Sequence, residues 1–174
     1  YNNPGIRIKD LDEVPSPYLS GILDEFFDGK LSPMIQSNRG CPFSCTFCTD
    51  GSDLVKQVNK FSIDRVKNEL EYIAKKVPKN IHSMTISDLN FGMYPRDLEI
   101  CQTISDCQKK YEYPNIIQAS TGKNQKEKII NAIKSLNGAL RLSMSVQSMD
   151  QEVLENIRRS NISVDQMLAL APAI

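Results

Sequence analysis

The chain lacks the features that would direct it to nucleic acid, a membrane or the secretory route. Its 21 basic residues are balanced by 21 acidic ones, so no general attraction to nucleic acid or to anionic lipid is expected. No apolar run approaches the roughly 20 residues that cross a bilayer. Residues 1–10 have neither the basic end nor the apolar core of a signal peptide. We therefore expect a cytoplasmic protein with no nucleic-acid partner and no membrane span.

Histidine is scarce, and the cysteines are odd in number. His82 is the only histidine, and its neighbours place it at the start of a predicted strand. Five cysteines, an odd number without a secretion signal, argue against a disulfide framework and favour metal binding or buried thiols. The chain also lacks an initiator methionine, which indicates a piece of a longer protein. Its 174 residues, 40% of them hydrophobic, suffice for one sizeable core.

The chain divides into a leading segment and one domain. Residues 1–32 are rich in turn formers and hold one short helical candidate at 18–27, so we interpret them as a linker that wraps onto a domain spanning 33–174. In that domain short β-type runs alternate with amphipathic stretches. The predicted strands are 33–37, 81–87, 115–120 and 140–146, and the predicted helices are 61–77, 95–111, 125–136, 150–159 and 164–171.

This alternation predicts an α/β fold with parallel strands joined by right-handed crossovers. Four βα units make a partial (β/α) barrel, incomplete at its C-terminal side, or a small open sheet. Ligands of such folds bind at the carboxyl ends of the strands, so the loops after Ser37, Ser87, Ser120 and Val146 are expected to open onto one end.

The decisive motif is the C-x3-C-x2-C run of Cys41, Cys45 and Cys48, which follows the first predicted strand. Three thiolates this close can bind three irons of one cubane cluster, and soft sulfur ligands favour iron–sulfur or zinc. One iron of the cubane would then lack a protein ligand and stay open to an exogenous molecule. A structural zinc site usually has four ligands, and no fourth is evident here. A zinc or redox thiol module, or thiols with no metal, remain the alternatives.

The other two cysteines have a different setting. Cys101 and Cys107 fall on the apolar face of the helix at 95–111, together with Leu98 and Ile104. We expect them to be buried as small hydrophobic side chains rather than to bind metal.

The cysteine run, with the aromatic Phe47 before its third cysteine, resembles the radical S-adenosylmethionine (SAM) superfamily. The preceding PSPYL, FFDGKLSP and RGCPFSC stretches are similar to the branch whose members often carry an upstream cobalamin-binding domain. The resemblance covers about residues 15–171. It implies that Cys41, Cys45 and Cys48 bind a [4Fe–4S] cluster whose open iron is chelated by SAM. Reductive cleavage then yields methionine and a 5′-deoxyadenosyl radical that abstracts hydrogen from a substrate.

The resemblance also implies SAM contacts, residue by residue. Asp88 stands where many relatives have a Gly-Gly-Glu triplet and is the candidate acceptor for the SAM amino group, with a turn leading into a helix as its alternative role. Arg159 matches an arginine that pairs with the SAM carboxylate, with Arg158 or a plain helix-end arginine as alternatives. The remaining candidates are Phe47 near the adenine and, for the ribose, Gln118, Ser120, Ser145 and Gln147.

The resemblance further implies a reaction class. A cobalamin-linked methyltransferase or rearranging enzyme is favoured over a methylthiotransferase that acts on RNA or protein, with cobalamin supplied by a domain outside this chain. The implied partners are an electron donor such as flavodoxin or ferredoxin and a small-molecule, natural-product or lipid-like substrate.

The family's usual six βα units are not all present. We therefore expect the isolated piece to bind its cofactors weakly or to be inactive. We also expect it to self-associate through its open sheet edge.

Overall fold

A computed structural model describes residues 7–53, 55–122, 126–140, 146–161, 163, 165 and 168. The strands are β1 (Met34–Ile35), β2 (Asn38–Arg39), β3 (Asn59–Lys60), β4 (Ser83–Phe91) and β5 (Ile116–Thr121). The α-helices are α1 (Ile63–Lys76), α2 (Pro95–Tyr111), α3 (Lys126–Ser135) and α4 (Gln151–Asn156), with short 3-10 helices at Leu11–Glu13, Asp24–Phe26 and Thr49–Gly51.

The main sheet is parallel, with the order β1–β4–β5. Helix α1 connects β1 to β4, and α2 connects β4 to β5, so the predicted α/β architecture with parallel strands is confirmed. Leu140 forms a further parallel bridge with Ile117, at the residue where the fourth strand was predicted to begin. Residues 141–145, which would complete that strand, lie outside the described residues.

The helices form where the apolar periodicity predicts them. The Ser62 hydroxyl caps α1 by accepting a hydrogen bond from the Arg65 N–H, and Val66, Leu70 and Ile73 are buried in the core. Helix α2 has the predicted bounds, but the prediction that Leu98 belongs to its apolar face is wrong, since Leu98 is 39% exposed. The buried positions start at Asp97, one residue earlier, and continue through Ile100, Cys101, Ile104 and Cys107.

Two predicted helices differ from the structure. Residues 18–27 form turns and the 3-10 helix Asp24–Phe26, because the left-handed backbone at Gly21 interrupts a regular helix. Helix α4 ends at Asn156 rather than at 159 because Arg158 adopts a left-handed conformation with φ 52°. The stretch predicted to be helical at 164–171 lies largely outside the described residues, and Gln125, the predicted first residue of α3, is also outside them.

The leading segment packs along α1 and β1. Leu11 and Tyr18 are part of the same hydrophobic core as the sheet. The Tyr18 hydroxyl donates to the carbonyl of Met34 at 2.8 Å, and the Ser16 hydroxyl donates to the Glu69 carboxylate at 2.5 Å. These contacts fix the edge of the sheet beside β1. In the described part of the chain, no helix has the length and apolar character needed to span a bilayer.

Candidate iron–sulfur site

The cysteines lie on a loop that β1 and its neighbours hold at the carboxyl end of the sheet. After β1 the chain enters β2, which pairs antiparallel with β3, so that Arg39 is opposite Asn59. This two-stranded ribbon closes the base of the loop that carries Cys41, Cys45 and Cys48. Inside the loop, the Cys41 N–H donates to the carbonyl of Val55 at 3.1 Å, and the Cys48 N–H donates to that of Cys45 at 3.2 Å. These two hydrogen bonds fix the backbone at Cys41 and at Cys48.

Two glycines permit this course. Gly40 has φ 115°, and a Cβ there would lie 2.4 Å from the carbonyl oxygen of Gln57. A Cβ on Gly51 would lie 2.3 Å from the carbonyl oxygen of Cys45. Both distances are shorter than real side chains tolerate, so only glycine fits at either position.

We expect Gly51→Ala to prevent the loop from closing on Cys45 and to lower the iron bound after anaerobic reconstitution with iron and sulfide to a small fraction of the wild-type amount. The matched control is Gly138→Ala, because a Cβ at Gly138 meets nothing within 4 Å. That control has a left-handed backbone, with φ 80°, so it carries a conformational strain of about 1–2 kcal/mol without touching the loop. Equal iron contents in the two variants would contradict the role given to Gly51.

The three thiols of the motif are all available to bind metal. Cys41 and Cys45 are buried, Cys48 is exposed, and all three are free of disulfides. Among the described residues, no three histidine, cysteine or acidic side chains are gathered closely enough to hold a single metal ion. A cubane does not require that, because each thiolate binds a different iron and the ligands stand farther apart than those around one ion. This finding counts against a single zinc ion held by three described ligands, and the cluster itself stays a prediction.

Asp88 lies beside the base of the loop, in strand β4 rather than in a turn before a helix. Its carboxylate accepts hydrogen bonds from the backbone N–H groups of Ser37 (2.7 Å) and Asn38 (3.3 Å). It also accepts from the Asn38 side-chain amide at 2.7 Å and from the Ser37 hydroxyl. Burial raises the pKa of Asp88, and the hydrogen bonds from Ser37 and Asn38 oppose that rise. Asp88 therefore fixes the chain between β1 and β2; its contact with the SAM amino group stays a prediction.

Phe47 and Arg159 are brought together although they are far apart in sequence. The Arg159 guanidinium carbon lies 5.9 Å from the centre of the Phe47 ring, and the Thr46 N–H donates to the carbonyl of Ile157 at 3.1 Å. Arg159 is only 5% exposed, and its Nε donates to the Asn161 side chain at 2.7 Å. The segment after α4 thus packs on the cysteine loop and places the buried Arg159 guanidinium beside the Phe47 ring.

The end of α4 explains why Arg159, rather than Arg158, faces the loop. The Arg158 N–H donates to the carbonyl of Glu155, and the Arg159 N–H donates to that of Leu154. With Arg158 in the left-handed region, these two bonds form a Schellman motif that reverses the chain direction. Arg158 is left exposed and Arg159 is directed inward.

The other predicted SAM contacts are exposed or lie outside the described residues. Gln118 and Ser120 are exposed on β5, and Gln147 is exposed in the segment before α4. Ser145 lies outside the described residues. His82 is exposed just before β4, at the end of that strand opposite to Phe91, where its carbonyl accepts from Asn115 and Ile116. These placements leave Cys41, Cys45, Cys48, Phe47 and Arg159 as the assembled part of the predicted site.

The two remaining cysteines are structural. Cys101 and Cys107 are buried on α2. Burial raises the pKa of Cys101 to about 12 and that of Cys107 to about 11, so both stay protonated at neutral pH. Protonated thiols in an apolar core are neither good metal ligands nor good nucleophiles.

Sequence reasoning missed the polar groups that flank the loop on β4 and the start of α2. Asn90 is buried and donates from its side-chain amide to the sulfur of Cys41 at 3.4 Å. Among the described residues, Tyr94 Oη and Arg96 Nε and Nη2 are buried without hydrogen-bond partners. The charges of Asp97, Cys41 and Asp88 add to burial in raising the pKa of Tyr94. Only the position of Asn90, two residues after Asp88 at a strand end, offered a signal in the sequence.

The family model of the radical SAM superfamily matches residues 35–172. The chain is 32% identical over 168 residues to the cobalamin-dependent radical SAM methyltransferase TokK of Streptomyces tokunonensis, covering 91% of this chain and 24% of that protein. It is also 32% identical over 171 residues to the 2-(S-pantetheinyl)-carbapenam-3-carboxylate methyltransferase of Streptantibioticus cattleyicolor, covering 93% of this chain and 25% of that protein. The chain thus spans about a quarter of the length of these curated relatives.

Solved structures share the fold. The cobalamin-dependent SAM radical enzyme OxsB matches with a TM-score of 0.62 and 19% identity, covering 98% of this chain and 26% of that one. The radical SAM methyltransferase TsrM from Kitasatospora setae matches with a TM-score of 0.62 and 12% identity, covering 82% of this chain and 26% of that one. The cysteine motif, the parallel sheet that presents it and the matched family model agree, and this chain belongs to the radical SAM superfamily.

Proposed function

We propose that this chain is the part of a cobalamin-dependent radical SAM methyltransferase that binds the [4Fe–4S] cluster and SAM. The observation that carries the proposal is the cysteine loop at the carboxyl end of the sheet, with the buried Arg159 beside the Phe47 ring of that loop. The names of TokK and of the carbapenam methyltransferase support the cobalamin-dependent and methyl-transferring parts. A rearrangement reaction has no comparable support.

The residues of this chain have separate tasks in that activity. When bound, the reduced cluster supplies the electron that cleaves the SAM sulfonium to methionine and a 5′-deoxyadenosyl radical. Cys41, Cys45 and Cys48 would bind three irons, so that the fourth iron would lack a protein ligand and be open to SAM. Arg159 offers a planar, permanently charged fork for the SAM carboxylate. Because Cys41 and Cys45 are buried, they would hold the irons they bind away from bulk water.

Cobalamin, the electron and the substrate are supplied from outside this chain in the proposed reaction. We propose that cobalamin is bound outside this chain, that flavodoxin or ferredoxin supplies the electron, and that the substrate is a small molecule. Asp88, Gln118, Ser120, Ser145 and Gln147 stay proposed SAM contacts.

The test of the SAM site is Arg159→Ala. Loss of a charge-assisted, bidentate contact is worth about 1.5–3 kcal/mol, so we expect SAM to bind about tenfold or more weakly, measured by equilibrium dialysis with the anaerobically reconstituted protein. Arg158→Ala is the control, because Arg158 is exposed in the same turn; its affinity for SAM and its iron content are expected to be those of the wild type. Unchanged SAM affinity in Arg159→Ala, with full iron content, would remove Arg159 from the site.

A further inference from the structure

The Asn90 side chain makes a direct contact with one cysteine of the motif. Its amide nitrogen lies 3.4 Å from the Cys41 sulfur, within hydrogen-bond reach of a sulfur acceptor, and Asn90 is only 4% exposed. An amide N–H is a donor, whereas a thiolate sulfur is an acceptor. The contact therefore favours the state of Cys41 with the greater negative charge.

The surroundings hold Asn90 in place. Two residues before it, Asp88 is fixed to Ser37 and Asn38 by hydrogen bonds. One residue after it, Phe91 pairs with Thr121 of β5, and its carbonyl accepts from the Gly122 N–H at 3.0 Å. Asn90 thus stands between two anchored residues of β4, in the stretch where the pairing with β5 is irregular, and its backbone is separate from the loop that carries Cys41. Such a donor keeps its position when the charge on the sulfur changes.

The charge on a cluster sulfur changes on reduction, because the added electron makes the cluster more negative. Hydrogen bonds to the sulfurs and exclusion of solvent are the means by which a protein sets the reduction potential of an iron–sulfur cluster. A buried N–H donor stabilises the reduced form more than the oxidised form. It therefore raises the midpoint potential and eases the entry of the electron.

We propose that Asn90 is a positioning residue for the cluster, whose hydrogen bond to the Cys41 sulfur raises the reduction potential of the cluster. The proposal rests on the proposed function, since it requires that Cys41 is a cluster ligand. It adds a role for a residue outside the cysteine motif and outside the predicted SAM contacts. In this proposal Asn90 acts through its contact with Cys41.

The test compares Asn90→Leu and Asn90→Asp with the wild type in redox titrations of the reconstituted full chain, followed by electron paramagnetic resonance. Both variants lack the N–H donor, and Asn90→Asp keeps the shape of the side chain. We expect wild-type iron content and a midpoint potential that is more negative than that of the wild type, more so for Asn90→Asp because of its added charge. The control is Asn59→Leu, since Asn59 is a buried amide at the base of the same loop that donates to Ile8 at 2.8 Å rather than to a cysteine.

The outcomes separate the two proposals. Full iron content with an unchanged midpoint potential in both Asn90 variants would overturn the role of Asn90 and leave the proposed function standing. Loss of iron in both Asn90 variants, with normal iron in Asn59→Leu, would also overturn it, because Asn90 would then be needed for loop folding rather than for the potential. Because weak cofactor binding is expected of the isolated piece, only a wild-type chain that assembles no cluster even in excess iron and sulfide would overturn the proposed function itself.

Discussion

Cys45→Ala is expected to abolish assembly of the cluster. Cys45 is the central cysteine of the motif and is buried in the loop, where Gly51 packs directly on its backbone. Removing one of only three thiolates leaves two irons of a cubane without protein ligands. Iron bound after anaerobic reconstitution should fall from about four atoms per chain to near zero. Iron analysis and the loss of the cluster's visible absorption measure this result.

The control for this variant is Cys101→Ala. Cys101 lies in the apolar core on α2, and its burial keeps it protonated at neutral pH. Its removal is expected to leave the iron content at the wild-type amount and to lower the unfolding temperature slightly through the small cavity left in the core. A cluster that still assembles in Cys45→Ala, or that is lost in Cys101→Ala, would contradict the assignment of ligands.

Asp88→Ala is expected to destabilise the chain strongly even without cluster or SAM. The carboxylate accepts from two backbone N–H groups and two side chains at the base of the cysteine loop. Its loss leaves the buried N–H groups of Ser37 and Asn38 without an acceptor, and each such group costs about 1–3 kcal/mol. We therefore expect the free energy of unfolding to fall by about 3 kcal/mol or more, measured by denaturant unfolding of the metal-free chain.

Ser87→Ala is the control for Asp88→Ala. The Ser87 hydroxyl makes a single hydrogen bond, to the carbonyl of Ile35 at 3.2 Å, so its removal should cost about 1 kcal/mol or less. If Asp88→Ala keeps wild-type stability without metal but binds SAM weakly, the carboxylate serves SAM rather than the loop. That result would contradict the structural role of Asp88.

The fold could be predicted where periodicity is strong. Helices α1 and α2 follow from apolar residues at every third or fourth position, and the alternation of strand and helix gives the parallel sheet. The β2–β3 ribbon could not be predicted, because each strand has only two residues and such a length carries no alternation. The end of α4 was missed because Arg158 adopts a conformation that glycine or asparagine would have signalled.

The candidate site was predictable only in part. The spacing of Cys41, Cys45 and Cys48 is local and can be seen directly in the sequence. In contrast, the contacts of Asp88 with Ser37, of Asn90 with Cys41 and of Arg159 with Phe47 join residues that are distant along the chain. Such contacts depend on strand register and on the turn after α4, neither of which leaves a sequence pattern of its own.

The most direct test of the account is a Mössbauer spectrum of the chain reconstituted anaerobically with iron-57 and sulfide, recorded before and after SAM is added. If three cysteines hold a cubane with one open corner, about four irons bind per chain, and SAM changes the signal of one iron while the other three stay the same. A chain that binds zinc tightly and forms no cluster would contradict this account. A cluster in which the signals of all four irons stay the same after SAM is added would also contradict it.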